Sequence, residues 1–164
     1  MAKKQHGPGN MPFPGLPGKL MDLSLLSCSA SRPATVGKKL PPLQQSMKIE
    51  GGQREGHPNE IKALLTFALR DQKDDADGFQ IIGKFGVTFK NAELPFSEEE
   101  VETIVKRVSV LVVWPYWREF VQSTTTRMGL PPLRVPLINP MYLSLETIKA
   151  PKRKRIGKPQ KTDS

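Results

Sequence analysis

The chain has 164 residues, which suits one domain with tails rather than two full domains. Hydrophobic residues make up only 37%, while Pro (16) and Gly (13) are abundant, so part of the chain lies outside any packed core. The net charge is +9; the single cysteine, Cys28, excludes an internal disulfide framework and a cysteine-based zinc cluster, and the longest apolar run, residues 110–115, is too short to span a membrane.

The charge is not spread evenly. Residues 1–59 carry a net +5, residues 60–148 a net −2, and residues 149–164 a net +6. The positive field therefore belongs to the ends, and the chain-wide balance is no guide to the folded part. Eight of the prolines and eight of the glycines fall within residues 1–59, in fragments such as Gly7-Pro8-Gly9 and Pro12-Phe13-Pro14-Gly15 that continue neither a helix nor a central strand. Residues 1–45 are accordingly expected to form a mostly disordered arm, residues 46–148 a domain, and residues 149–164 a basic disordered tail. The short apolar stretch at 20–26 follows Lys3, Lys4 and Lys19, but Asp22 and Ser24 interrupt it and prolines precede it. It fits a sticky segment better than a signal peptide. The expected setting is the cytoplasm, a reducing compartment.

Residues 60–69 alternate Ile61, Ala63, Leu65, Phe67 and Leu69, which suits a strand; Ile61, Leu64, Leu65, Ala68 and Leu69 suit a helix about as well. The next twenty residues decide for the strand. A polar connection at 71–78 ends in Gly78, and residues 79–89 are rich in β-branched and aromatic side chains. Strand, polar loop and strand make an antiparallel hairpin. Gly83 and Gly86 in the second strand predict a bulge or bend.

Ser97 followed by Glu100 has capping-box spacing, and Glu98, Glu99 and Glu100 fill a first helical turn. Val101, Ile104, Val105 and Val108 continue as an apolar stripe. Pro115 suits the first position of a second, main helix. Trp117, Phe120, Val121, Thr124 and Met128 form its stripe, and Gly129 stands where a left-handed cap belongs. Pro131, Pro132, Pro136 and Pro140 then force an extended crossover that still carries Leu130, Leu133, Val135, Leu137 and Ile138.

Three groups of residues carry a resemblance. Trp114-Pro115-Tyr116-Trp117-Arg118-Glu119, Arg127-Met128-Gly129-Leu130-Pro131-Pro132-Leu133 and Val135-Pro136-Leu137-Ile138-Asn139 together resemble the SecB family of protein-export chaperones, and Gly86-Val87-Thr88-Phe89 resembles that family's last strand. The match spans residues 60–143 or thereabouts. It implies an α+β fold, with a four-stranded antiparallel sheet, helices on one side and a Pro-rich crossover. It also implies a homotetramer, a dimer of dimers, that binds unfolded preproteins without ATP or any other cofactor and presents them to SecA. The positions that match the family's apolar client groove are Phe85, Val87 and Phe89 on the strand, Trp114, Tyr116 and Phe120 on the helix, and Leu130, Leu133, Leu137 and Ile138 on the crossover.

The sequence departs from the family in three ways. Two strands should precede the hairpin, and only residues 45–50 offer a candidate. The family's SecA-docking face is acidic, whereas residues 79–89 hold one lysine, Lys84, and no acid. The family ends in a second apolar helix and a polar or acidic tail; here Tyr142, Leu143, Leu145 and Ile148 suffice for about two helical turns, and the basic run Lys152-Arg153-Lys154-Arg155 follows. That basic run suits weak, non-specific nucleic-acid or ribosome contact, with no aromatic beside it for base stacking. A chaperone dedicated to one partner, such as an antitoxin, is the other expectation for this fold, and a basic-tailed adaptor binding nucleic acid or ribosomes, with the domain as its platform, is the alternative from a different class. Catalysis is not expected. His6 and His57 lack a metal-ligand cluster, Cys28 lacks a base, and no phosphate loop occurs. Each groove residue taken singly is also an ordinary core residue, and Arg118 and Glu119 read as a solvated helix face.

Overall fold

The computed structural model describes residues 18–33, 40–71 and 78–138. Four strands, β1 (Lys19–Ser31), β2 (Leu43–Arg54), β3 (His57–Asp71) and β4 (Gln80–Lys90), form one antiparallel sheet in the order β1-β4-β3-β2. A helical run comes next: α1 (Glu98–Thr103), a π-helical turn (Ile104–Val108) and α2 (Ser109–Arg127).

The expected hairpin is present as β3 and β4. Their register is unbroken from Glu60↔Lys90 to Arg70↔Gln80. Odd-numbered residues face the helix and are buried: Ile61, Ala63, Leu65, Phe67 and Leu69 on β3, and Ile81, Phe85, Val87 and Phe89 on β4. A fully buried side chain of this size contributes roughly 1.5–3 kcal/mol, so this face is the main source of stability. Gly83 and Gly86 do not mark a bulge in β4. A Cβ at Gly83 would stand 3.2 Å from Trp117 Cζ3, so the glycine makes room for the indole. The register shifts lie on β1 instead, between Leu20 and Asp22 and between Leu25 and Ser27.

Residues 1–45 are not wholly an arm. Lys19–Ser31 is a full-length edge strand, and β2 begins at Leu43. These supply the two strands that precede the hairpin, and the candidate at 45–50 lies within β2. The prolines sit at or before position 17 and again at 33, 41 and 42, which leaves 19–31 free of both Pro and Gly. An edge strand needs little apolar alternation because much of it stays in water, and no residue of β1 is buried.

The helical run starts as predicted. Ser97 Oγ accepts the Glu100 N–H and the Glu100 carboxylate accepts the Ser97 N–H at 2.7 Å, a complete capping box. Its continuation differs from expectation. Pro115 does not start a helix; it lies inside α2. Proline removes one helical N–H, and its ring sits on the exposed side, while Val113 and Trp114 before it are buried. Burial of that apolar turn offsets the proline's cost of about 3 kcal/mol. Upstream, the Ser109 N–H reaches Ile104 O, five residues back, which defines the π turn. The extra residue rotates the stripe so that Ile104, Val105 and Val108 and then Val110 and Val113 all reach the core. Gly129, with φ of 71°, closes the helix as expected.

The helical run crosses β2, β3 and β4, and β1 lies outside its main footprint. Aromatic rings fill the centre. Phe67 stacks on Trp117 at 5.3 Å and meets Trp114 and Phe85 edge-on at 5.7 and 6.0 Å. No helix among the described residues is long and apolar enough to cross a membrane. The expected second helix around Tyr142–Ile148 and the basic run at 152–155 lie outside the described residues.

Candidate functional site

The helix holds the crossover by side-chain hydrogen bonds, because the prolines leave it few of its own. Trp114 Nε1–H donates to Pro136 O at 3.0 Å, and Arg118 Nε–H donates to Val135 O at 2.8 Å. The Leu133 N–H donates to Thr125 Oγ1 at 3.0 Å. Residues advance about 100° per position on a helix, which places Trp114, Arg118 and Thr125 along one flank. Leu130 and Val135 are the crossover's anchors in the core. Arg118 is thus a structural clamp and not part of a solvated face. Its spacing of four from Trp114 is the signal that marks it, since the two share one flank.

This geometry divides the ten expected groove residues. Phe85, Val87, Phe89, Trp114 and Leu130 are buried in the core. Phe120, Leu133 and Ile138 are half-buried and pack on its border. Tyr116 and Leu137 are open, at 55% and 78% exposure. The strand, helix and crossover lie against one another and close on one another, so the strand residues form the floor beneath the helix rather than a free wall. Tyr116 and Phe120 lie on the flank opposite the crossover's clamps. Phe120 rests against Trp117 at 6.0 Å.

Sequence reasoning took the apolar stretch at 20–26 as a sticky segment of the arm and missed that it forms the edge strand β1. Leu20, Met21, Leu25 and Leu26 are all exposed, Leu25 and Leu26 at 45% and 54%. In register, Leu20, Leu23 and Leu25 oppose Phe89, Val87 and Phe85, so they extend the helix-side floor beyond the helix. Soluble domains seldom leave such a row open. The edge also lacks the charges that usually guard one: residues 23–31 carry none. The signal was present in the clustered leucines at 20–26, which the surrounding proline-rich sequence obscured.

No group of three or more His, Cys, Asp or Glu side chains stands at metal-binding distance among the described residues. Cys28 is exposed on β1, opposite Gly83. Among the described residues one ionisable group is clearly displaced: the Lys48 ammonium, hydrogen-bonded to Glu50 and attracting it, holds that carboxyl below its ordinary range.

No protein-family model matches the sequence, and no curated protein matches it. Solved structures do resemble the fold. One is the Mycobacterium tuberculosis Rv1957 SecB-like chaperone in complex with a ChAD peptide from the Rv1956 HigA1 antitoxin. It aligns over 75% of this chain and 91% of its own at 21% identity, with a TM-score of 0.57. A Streptococcus agalactiae protein of unknown function aligns over 73% of this chain and 98% of its own at 11% identity and a TM-score of 0.40. The four-stranded antiparallel sheet in this order, covered on one side by the long helix, is a SecB-like fold.

Proposed function

We propose that this chain is a chaperone-type binding protein that holds extended apolar segments of other polypeptides on the helix side of the sheet. The observation that carries the reading is the row Leu20, Leu23 and Leu25 on β1. It continues the apolar floor past the helix, with Leu23 half-buried against the core and Leu20 and Leu25 open to solvent. Tyr116 and Phe120, on the flank away from the crossover, supply aromatic surface of the kind that grips apolar side chains without demanding a sequence. Binding of this type needs no nucleotide and no catalytic group. The SecB-like fold supports it.

The test is aggregation of a reduced, unfolded client protein with and without the full chain, with light scattering of the complex in the same buffer. Suppression near a stoichiometric ratio by a homo-oligomer supports a general holdase. Leu25→Ser combined with Tyr116→Ser should abolish it while leaving the unfolding free energy within about 0.5 kcal/mol, because both side chains are exposed. Retained suppression by that variant refutes the assigned surface.

A second reading keeps the surface and narrows the client to one partner. The neighbour with the SecB-like fold is bound to a peptide from an antitoxin, which favours a dedicated partner over export. Hand-over to SecA through an acidic sheet face is not favoured, since the outer face here holds Lys48, Lys62, Arg70 and Lys84. The basic tail at 149–164 adds salt-sensitive contact to nucleic acid or ribosomes at most.

A further inference from the structure

The face of the sheet turned away from the helix is a second surface of different chemistry. It is made by the even-numbered residues of β3 and β4 and their register partners. Ser27, Lys84, Thr66 and Lys48 form its middle row. The rows on either side place Leu64 beside Gly86 and Ala68 beside Ile82. Leu26 bulges out of β1 over Gly86, whose Cβ would stand 3.1 Å from Leu26 Cδ1. Half-buried Leu64 and Ile82 and exposed Leu26 thus give the face an apolar centre. Lys62 and Arg70 occupy rows further out.

Positive charge is in surplus there. Lys48 is matched by Glu50 at 2.7 Å, and Glu60 by Arg54 at 3.2 Å, with Lys62 at 4.0 Å. Asp22 accepts the Ser24 hydroxyl at 2.8 Å. Arg70 and Lys84 have no carboxylate at ion-pair distance among the described residues, though Lys84 attracts Glu50 from farther off. At one end Lys19 and Lys90 stand directly opposite each other across β1 and β4, a like-charge pairing that costs a sheet stability. No aromatic side chain lies on this face among the described residues, so it has no platform for stacking bases.

We propose that this outer face docks an acidic amphipathic segment of a partner protein. The segment's apolar side chains would cover Leu26, Leu64 and Ile82, and its carboxylates would meet Lys84, Lys62 and Arg70. The apolar centre separates this occupant from a nucleic-acid backbone, which offers nothing to fill it. The charge surplus separates it from a neutral strand or a second copy of the same cationic face. The surface is distinct from the helix side, so the proposal stands or falls apart from the holdase reading.

The probe is a fluorescein-labelled helical peptide of about 18 residues, five turns, with leucine on one face and glutamate elsewhere. Its counterpart carries lysine for glutamate, and an oligothymidine of similar length is the third probe. Anisotropy is measured with the full chain. The glutamate peptide should bind, the lysine peptide should not, and Lys84→Glu should weaken binding tenfold or more. Lys62→Glu and Arg70→Glu, at exposed positions, should act the same way and replace Lys84→Glu if that variant fails to fold. Suppression of client aggregation should survive all three substitutions. Absence of peptide binding below about 1 mM, a weak-contact threshold, overturns the proposal. So does equal binding of the lysine peptide, or binding unaffected by the three substitutions, which would place the peptide elsewhere, such as on the basic tail. Tighter oligothymidine binding that Lys84→Glu abolishes also overturns it and assigns the face to nucleic acid.

Discussion

Thr125→Val tests whether the crossover is a fixed part of the fold. Thr125 is fully buried. Its hydroxyl donates to a helix carbonyl, Val121 O or Gln122 O, each at 3.0 Å, and accepts the Leu133 N–H at 3.0 Å. Valine keeps the β-branch and exchanges the hydroxyl for a methyl. Two terms then oppose each other. The extra buried methyl favours valine by about 0.8 kcal/mol. The Leu133 N–H, half-buried and left without its acceptor, costs roughly 1–3 kcal/mol. The expected net loss is about 1–2 kcal/mol, or a fall in Tm of roughly 4–8 °C for a domain of this size. Urea unfolding measured by tryptophan fluorescence reads it directly, since Trp114 touches the crossover and Trp117 lies beneath the helix. The discriminating readout is hydrogen exchange at the Leu133 amide. Exchange should accelerate in Thr125→Val and stay slow in Thr125→Ser, which keeps the hydroxyl and loses only a methyl. A valine variant of unchanged stability with a still-protected Leu133 amide would refute the reasoning.

Three further substitutions probe other parts of the fold. A Cβ at Gly51 would stand 2.4 Å from Lys62 O and 2.8 Å from Ala63 Cα, so Gly51→Ala must push β2 away from β3; a loss of about 2–3 kcal/mol in urea unfolding is expected. Ser97→Ala removes the capping box and should cost about 1 kcal/mol, with Ser97→Asp restoring most of it. Lys48→Met should raise the Glu50 pKa toward its ordinary value, measured by carboxyl NMR titration. Because the folded-state value is depressed, the stabilisation is present above the unfolded pKa and is lost as pH falls through the lowered folded one. The wild type should therefore lose this increment on acidification and the methionine variant should not.

Much of the fold was legible because local and global signals agreed. The β3–β4 hairpin is written in period-two apolar residues around a polar loop, and the start and end of the helical run in Ser97, Glu100 and Gly129. The middle of the run was misread at Pro115. Local propensity argues for a break there, but buried Val113, Trp114 and Trp117 on either side hold the helix together. β1 was missed for the opposite reason. Its burial is slight, so the leucines at 20–26 follow no clean period of two, and the ladder of backbone bonds to β4 that orders the strand is not written in side-chain type. The site was legible as a set of elements but not as a set of accessible atoms. Sequence motifs place Phe85, Val87, Phe89, Trp114 and Leu130 next to one another without saying that they cover each other.

The two surfaces of this sheet are built for different forces, and that difference makes them separable. Leu20, Leu23 and Leu25 lie in register with buried Phe89, Val87 and Phe85, so a peptide docked there exchanges water for apolar surface on a floor already formed. Added salt leaves such an exchange intact or strengthens it. On the outer face, Arg70 and Lys84 act through charge at exposed or half-exposed positions, where screening sets in within about 10 Å at 0.1 M salt. Raising ionic strength should therefore strip an acidic partner from the outer face while an apolar client stays on the helix side. The central strands β3 and β4 serve both surfaces at once, since alternate residues point to opposite faces. A one-residue register slip of β4 would turn Lys84 toward the helix and Phe85 toward the outer face. The close approach of Gly51 to the Lys62 carbonyl fixes β2 against β3, and that of Gly83 to Trp117 fixes β4 under the helix, which keeps the two chemistries apart.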